Sequence, residues 1–241
     1  MRITKREVIA SIAIVAVMLI FGFILSGKIQ DNINDANAEY YKAIHIENTE
    51  LFQYGMDTNV GNAFVYGDLV AIDTVGFNEI PGEYMYVEKV EEHYNRHTRT
   101  VTKTRTVNGK TQTYTETEVY WSWDRYDSWD KHSEKISFCG IEFDYGKIDI
   151  PSSSYIDTIK ESSRVRYKYY GVSTEHTGTI YTQLSNHTIT NGSRFFNNCG
   201  IEKSLEICTS GIGIGVFWLF WTILSGFVLY VFYYAENKWL E

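Results

Sequence analysis

The chain carries VIASIAIVAVMLIFGFIL at residues 8–25 and GIGIGVFWLFWTILSGFVLYVFY at residues 211–233, and neither stretch contains a charged residue. An apolar run of about 18 residues or more is long enough to cross a bilayer as a helix. The sequence therefore predicts a membrane protein in which two transmembrane helices flank a large domain. The absence of ionisable residues inside the runs argues against a transporter or a proton relay.

Basic residues before the first run predict the orientation. Arg2, Lys5 and Arg6 precede it, and basic residues beside a membrane segment are retained on the cytoplasmic side. The alternative, a signal peptide, fits less well because the run is long and no A-x-A cleavage site follows it. We expect a two-pass protein of the cell membrane with both termini cytoplasmic and the main domain extracytoplasmic.

The predicted organisation is as follows. It comprises a cytoplasmic tail at 1–7, a transmembrane helix at 8–26, a juxtamembrane helix at 27–46, an extracytoplasmic β-rich domain at 47–210, a transmembrane helix at 211–233 and a cytoplasmic tail at 234–241. The fold class expected for the middle is mainly β (α+β). The juxtamembrane helix carries an apolar stripe, Ile29, Ile33, Ala36 and Tyr40, at helical spacing. That stripe packs either on the chain's own β domain or on another copy.

The middle of the chain is acidic. Residues 27–210 contain 18 Lys and Arg against 27 Asp and Glu, and the whole chain has a formal net charge of −8. An acidic domain repels phosphate backbones and anionic lipid headgroups. We therefore expect no nucleic-acid partner.

The clearest β signal is Asn108-Gly109, which separates two threonine-rich stretches, 99–107 and 110–120. Asn-Gly favours the type I′ turn of a β-hairpin. Polar residues on both faces predict that the tip projects into solvent, and this makes it a candidate contact for a partner. The candidate contact residues are Thr106, Asn108, Gly109 and Lys110.

Weaker patterns predict the other elements. Strands are expected at 64–66, 69–72, 84–90, 135–143, 164–172 and 179–184, with a turn at 79–83 and a short helix within 151–163. A partly helical segment is expected at 197–210.

No pattern indicates catalysis. His93 and His97 are four residues apart in an extended segment, where one metal ion could not join them directly. Asp124, Asp127 and Asp130 lack the spacing of a calcium loop and are expected in a solvated loop. The sequence has no HExxH, no G-x-S-x-G and no glycine-rich nucleotide loop. We expect a non-enzymatic protein without metal or cofactor.

Three tryptophans, Trp121, Trp123 and Trp129, crowd one segment. They could form an aromatic platform for a sugar or a peptide, or they could pack in the core or on the bilayer surface. Three cysteines, at 139, 199 and 208, cannot all pair within one chain, which leaves buried free thiols and disulfides both open.

Small residues in the second apolar run predict close helix packing. Gly211 and Gly215 form a GxxxG pattern, and Thr222 with Gly226 repeats the small spacing. The partner helix is either the first run of the same chain or a helix of another copy, so a homo-oligomer is one expectation.

Residues 64–184 carry a family resemblance. The matching residues are Gly67-Asp68-Leu69-Val70, Tyr84-Met85-Tyr86-Val87-Glu88, Tyr120-Trp121-Ser122-Trp123, Arg164-Val165-Arg166-Tyr167 and Tyr170-Gly171-Val172-Ser173. This region resembles the luminal domain of the LUMA family and the beside-a-membrane (GIDE) domain of MULAN-type proteins. The resemblance implies a membrane-apposed β module for protein contacts. It implies no catalytic residue in this domain.

The chain departs from both families. LUMA proteins have several membrane helices after the domain, and MULAN-type ligases end in a RING domain, so no ubiquitin ligase activity is expected here. We expect a membrane-anchored interaction, scaffold or sensor protein. The alternative is an envelope enzyme or a carbohydrate- or peptide-binding module that uses the tryptophan region.

Overall fold

The computed structural model describes residues 5–107 and 109–239. The chain divides into two units. One is helical, Met1–Ala43 with Glu202–Glu241, and the other is the β-rich unit Ile44–Ile201. Two long apolar helices and a mainly-β domain were predicted, and both are present.

The described part of the helical unit contains four helices. They are α1 (Lys5–Ala36), α2 (Ala38–Tyr41), α4 (Ile201–Thr209, whose first residue belongs to the β unit) and α5 (Gly213–Trp239). Two stretches, Lys5–Ala36 and Ile201–Glu236, are long and apolar enough to cross a membrane by length and composition. The predicted juxtamembrane helix at 27–46 is too long, because helix ends at Tyr41 and residues 44–46 form a strand.

The elements of the β unit follow one another along the chain from Ile44 to Asn197. They are β1 (Ile44–Ile46), α3 (Thr49–Thr58), β2 (Gly61–Ala71), β3 (Tyr86–Val107), β4 (Lys110–His132), β5 (Lys135–Phe138), β6 (Ile141–Asp144), a 3₁₀ turn (Tyr145–Lys147), β7 (Ile148–Asp149), β8 (Ser154–Lys160), β9 (Val165–Val172), β10 (Glu175–Ser185), β11 (Thr188–Ile189) and β12 (Ser193–Asn197). The sequence had not predicted α3.

The strands form two sheets. The first has the order β6-β5-β2-β10-β12-β7, with β1 added beside β2 and β11 beside β10. The second has the order β4-β3-β9-β8, so β4 is an edge strand. Helix α3 covers the first sheet with Phe52 and Met56, which are buried in the main core. Asn48 caps this helix by accepting a hydrogen bond from the Leu51 N–H at 2.8 Å.

A second, smaller core lies on one face of the second sheet. Ile80, Val87 and Tyr169 are buried there, and Ile156 and Ile159 of β8 pack against them. The predicted helix within 151–163 is wrong, because residues 154–160 form this strand. A bulge after Tyr155 leaves Ile156 without a cross-strand partner. Two apolar residues three apart can therefore face the same core from a strand, a spacing that otherwise indicates a helix.

Asp73 stabilises the connection between the two sheets. Its carboxylate accepts hydrogen bonds from the backbone N–H of Glu134 at 2.7 Å and of Lys135 at 2.8 Å. These two bonds, in that order, lower the pKa of Asp73 below its ordinary value. The connection from β4 to β5 is thereby held beside the end of β2.

Gly67 permits a close approach between β2 and the loop after β5. A β-carbon on Gly67 would overlap the Sγ atom of Cys139. That sulfur contacts the Tyr66 carbonyl oxygen at 3.3 Å, and burial together with the charge of Asp68 raises the pKa of the Cys139 thiol to about 11. Cys139 and Cys199 carry free thiols.

Candidate functional site

The hairpin of β3 and β4 is confirmed and extends beyond its predicted bounds. The strands pair from Tyr86↔His132 to Val107↔Lys110. Strand β9 pairs with β3 only as far as His93↔Val165. Beyond that point, residues 95–107 and 110–122 continue as a two-stranded arm about 40 Å long, at about 3.3 Å per residue.

The arm has two different faces. One face holds four Thr–Thr cross-strand pairs, from Thr100↔Thr117 to Thr106↔Thr111. The other is charged: Arg99 bonds Glu118 at 3.0 Å, and Lys103 lies 2.9 Å from Glu116. A two-stranded hairpin has no core of its own, so cross-strand pairs of this kind stabilise it.

The predicted contact residues lie at the tip of the arm. Thr106 and Lys110 are exposed on β3 and β4. Gly109 has a φ of +74°, the left-handed conformation that this turn requires. Asn108 lies outside the described residues.

The root of the arm carries an aromatic and cationic surface, which we call the root platform. It comprises Tyr94 and Arg96 of β3, Trp121 and Trp123 of β4, and Arg164 and Arg166 beside or on β9. Residues directly opposite each other on paired strands share a face. Trp123 lies opposite Tyr94 and Trp121 lies opposite Arg96, so these four side chains lie on one side of the sheet.

Side-chain contacts organise the root platform. The Tyr94 ring stacks on Trp121, with the ring centroids 5.5 Å apart, and also contacts Trp123 at 5.1 Å. The Arg166 guanidinium lies 4.1 Å from the centroid of Trp123, and that of Arg164 lies 5.6 Å from the centroid of Trp121. Such cation–π contacts stabilise by about 0.5–2 kcal/mol each.

Glu92 forms ion pairs that fix the position of Arg166 in the root platform. Its carboxylate bonds the Arg166 guanidinium at 2.6 Å and the Lys168 ammonium at 3.1 Å. The Arg125 guanidinium forms a separate ion pair with Glu88 at 2.6 Å. Arg96 and Arg164, by contrast, take part in no ion pair within residues 5–107 and 109–239. The platform therefore presents unneutralised positive charge on an otherwise acidic domain.

A groove of about 330 Å³ lies beside these two arginines. Its lining includes Tyr94, Arg96, Trp121 and Arg164. The volume is at the lower end of the range for small-ligand sites. The groove lies beside Val165, the first residue of β9, where the arm begins.

The structure splits the three tryptophans that the sequence places together. Trp129 lies opposite Lys89, an odd number of residues from Tyr94 along β3, so it occupies the other face. A one-residue bulge causes this split: Glu91 pairs with Asp127 and Glu92 with Arg125, which leaves Tyr126 unpaired. A bulge reverses the alternation of every following side chain. The single platform of Trp121, Trp123 and Trp129 is therefore a wrong prediction.

The other face of the root holds His93, His97 and Asp124. His97 contacts Asp124 at 2.6 Å, and His93 contacts Glu91 at 2.6 Å. Hydrogen bonds from Asn95, the strongest influence, and from Ser122 and His97 lower the pKa of Asp124. Asp124, Asp127 and Asp130 lie on β4, so the expected solvated loop is wrong. Within residues 5–107 and 109–239, no three His, Cys, Asp or Glu side chains are grouped to hold a metal ion.

The helix-packing residues are placed differently from the predicted pattern. Gly211 precedes α5, which begins at Gly213, so it does not share a helical face with Gly215. Among the residues that the structure describes, no atom outside the glycine's own stretch of helix lies within 4 Å of a β-carbon placed on Gly215 or Gly226. The Thr222 hydroxyl donates to the Trp218 carbonyl oxygen of its own helix at 2.8 Å.

Instead, α1 and α5 contact each other at Gly22. A β-carbon there would lie 2.6 Å from Nε1 of Trp221. That indole N–H donates to the Met18 carbonyl oxygen at 2.9 Å, and Phe23 packs edge-on against Trp218 at 5.2 Å. Gly22 therefore allows the two helices of one chain to approach each other.

Four residues of the root platform were not predicted as site residues: Tyr94, Arg96, Arg164 and Arg166. The alternation Arg164-Val165-Arg166-Tyr167-Lys168 was an available signal, since a strand places three such cations on one face. Comparison with protein-family models, curated proteins and solved structures found no match. The resemblance to LUMA and MULAN-type domains stays a prediction.

Proposed function

We propose that this protein is a two-pass membrane anchor for a non-enzymatic interaction domain, which binds a protein partner through its arm and root platform. Two apolar helices of sufficient length support the anchor. The basic residues before the first helix support a cytoplasmic N-terminus, with the β unit on the extracytoplasmic side. Scaffold and sensor roles both fit such a domain.

The arm is the observation that carries this proposal. It extends about 13 residues beyond the last strand that supports it, at about 3.3 Å per residue. Threonine pairs and ion pairs hold it without a hydrophobic core. An ordered ribbon of this length contributes little to the core of its own domain, and a projecting surface suits contact with another molecule.

A second candidate is a carbohydrate- or peptide-binding module, or an envelope enzyme, at the tryptophan region. The groove beside Trp121 favours a ligand there. Glycoside hydrolysis uses a pair of carboxylates. The described lining of this groove instead brings Arg96 and Arg164 together. We therefore favour binding over catalysis at this position.

Photo-crosslinking in living cells tests the proposal. A photoreactive residue is placed at Thr106 or at Trp121 of the full chain, with a control at the exposed Glu142 on β6. We expect a discrete higher-mass product at the first two positions and none at the control. Absence of any product from both test positions, with the protein present in the membrane, would contradict the proposal.

A loop replacement provides a second control. With the photoreactive residue at Trp121, substitution of residues 104–113 by a short Gly-Ser loop is expected to weaken the crosslinked product while leaving the melting temperature within about 2 °C. A large loss of melting temperature would show that the tip belongs to the domain core.

A further inference from the structure

Strand β3 has a free backbone edge along the arm. The Tyr94 N–H donates to the Arg164 carbonyl oxygen at 2.9 Å, which directs it towards β9. Backbone groups two residues apart on a strand point to the same neighbour. Arg96 and Thr98 therefore direct their N–H and C=O groups to this same side. Within residues 5–107 and 109–239, no strand pairs with them there.

The charge along this edge has one sign. Residues 95–107 contain Arg96, Arg99, Lys103 and Arg105 and no acidic residue. Arg99 and Lys103 are already bonded to glutamates of β4. Arg96 and Arg164 are not part of any ion pair in the described chain, and both line the groove at the start of the edge.

We propose that this edge and groove bind an extended acidic segment of a partner protein. The segment adds to β3 as a strand that begins at Arg96, just beyond the residues of β3 that pair with β9. One of its carboxylates lies between the guanidiniums of Arg96 and Arg164, on the face of the sheet that also carries Trp121. This inference deepens the proposed function and rests on it, since it names the chemistry of the partner. Strand addition of this kind obtains affinity from backbone hydrogen bonds and specificity from side-chain pockets.

A second copy of this chain fits the same edge less well. Pairing of β3 with β3 of another copy would bring two basic strands together without an intervening carboxylate. Exposed edge strands often carry cations that prevent such pairing. An acidic segment would instead be attracted by these cations, so the same charges that prevent pairing with a basic strand favour pairing with an acidic one.

A peptide titration on the full chain in lipid nanodiscs tests the inference. The probe is a capped heptapeptide of alternating glutamate and valine, and the controls replace glutamate by glutamine or methylate alternate backbone nitrogens. We expect the acidic peptide to bind, the glutamine peptide to bind at least about tenfold more weakly, and the methylated peptide not to bind. Equal binding of the methylated peptide would overturn strand addition.

Matched protein variants locate the site. Arg96→Gln with Arg164→Gln is expected to weaken acidic-peptide binding about tenfold. The control pair Lys135→Gln with Arg194→Gln removes the same charge from the first sheet and should change binding less than twofold. Equal loss in both pairs would show non-specific attraction and would overturn the inference.

Three further outcomes distinguish the alternatives. An oligo-uronate that binds as tightly as the peptide, with the same arginine dependence, would overturn a peptide partner. Self-association of the chain that Arg96→Gln abolishes would assign the edge to a second copy and overturn the inference. Crosslinks at Trp121 in cells without any peptide binding would leave the proposed function standing and reject this inference alone.

Discussion

Neutralising Glu92 is the most informative change at the root platform. Its carboxylate bonds both Arg166 and Lys168. The side chains of Glu92, Arg166 and Lys168 retain only 14%, 20% and 25% of their exposure. Glu92→Gln keeps the shape of the side chain but leaves two half-buried cations without their counter-charge.

The exposures set the expected magnitude. An exposed ion pair contributes about 0–1 kcal/mol, and removal of one partner from a fully buried pair costs about 3–5 kcal/mol. The Glu92 network lies between these limits, so Glu92→Gln should lower the free energy of unfolding by about 2 kcal/mol. The Arg166 guanidinium should also lose its fixed position over Trp123 and change the tryptophan emission.

Urea titration of the full chain in detergent, followed by near-ultraviolet circular dichroism, measures this loss. The matched control is Asp144→Asn, which removes a partner of Lys135 in a pair exposed at 46% and 72%. The control should cost less than about 0.5 kcal/mol. If Glu92→Gln costs no more than Asp144→Asn, the platform is not organised by this carboxylate and the reasoning is refuted.

Three further predictions concern packing, pH and assembly. Gly67→Ala should destabilise the domain by about 1–3 kcal/mol, because the added methyl overlaps the Cys139 sulfur, and Cys139→Ala in the same chain should restore most of the loss in a thermal melt. The folded-state pKa of Asp73 lies below its ordinary value of 3.8, so its stabilisation is complete above that value and is lost as pH falls towards the lower pKa. Asp73→Asn should therefore flatten the acid limb of a stability–pH curve, and an unchanged limb would contradict this. We expect an oligomer in mild detergent that Gly215→Leu with Gly226→Leu converts to a monomer, since both glycines lie on α5 and bulky residues prevent close helix approach. A wild-type chain that is already monomeric in detergent and nanodiscs would end the oligomer hypothesis.

Local signals predicted much of the fold. The uncharged runs predict the two long helices, and Asn108-Gly109 between threonine-rich stretches predicts the central hairpin. Both signals act over short distances in the chain, since run length and turn conformation depend on few neighbours. Both signals can therefore be recognised in the sequence without the tertiary structure.

The site depended on features that local signals do not carry. The bulge at Tyr126 follows from the register with β3 and moves Trp129 away from Trp121. Arg164 joins the platform only because β9 pairs with β3 in one register. The groove exists because β9 pairs only with residues 86–93 of β3, and pairing between strands so far apart in the chain is not visible in residue spacing.

The helix-packing prediction failed for a related reason. A GxxxG pattern indicates a face only when both glycines lie on one helix, and Gly211 precedes the start of α5. The observed contact uses Gly22 against Trp221. A glycine facing a large aromatic residue of another helix has no signature within its own segment.

Cysteine accessibility tests the central claim, that the β unit lies outside the cytoplasm on a two-pass anchor. Single cysteines are placed at residue 3 and at residue 109 in a chain whose native cysteines are replaced by alanine. An impermeant thiol reagent is added to intact cells, with permeabilised cells as the control. The account predicts labelling at residue 109 from outside and at residue 3 only after permeabilisation, whereas labelling at residue 3 but not at 109 in intact cells would contradict it.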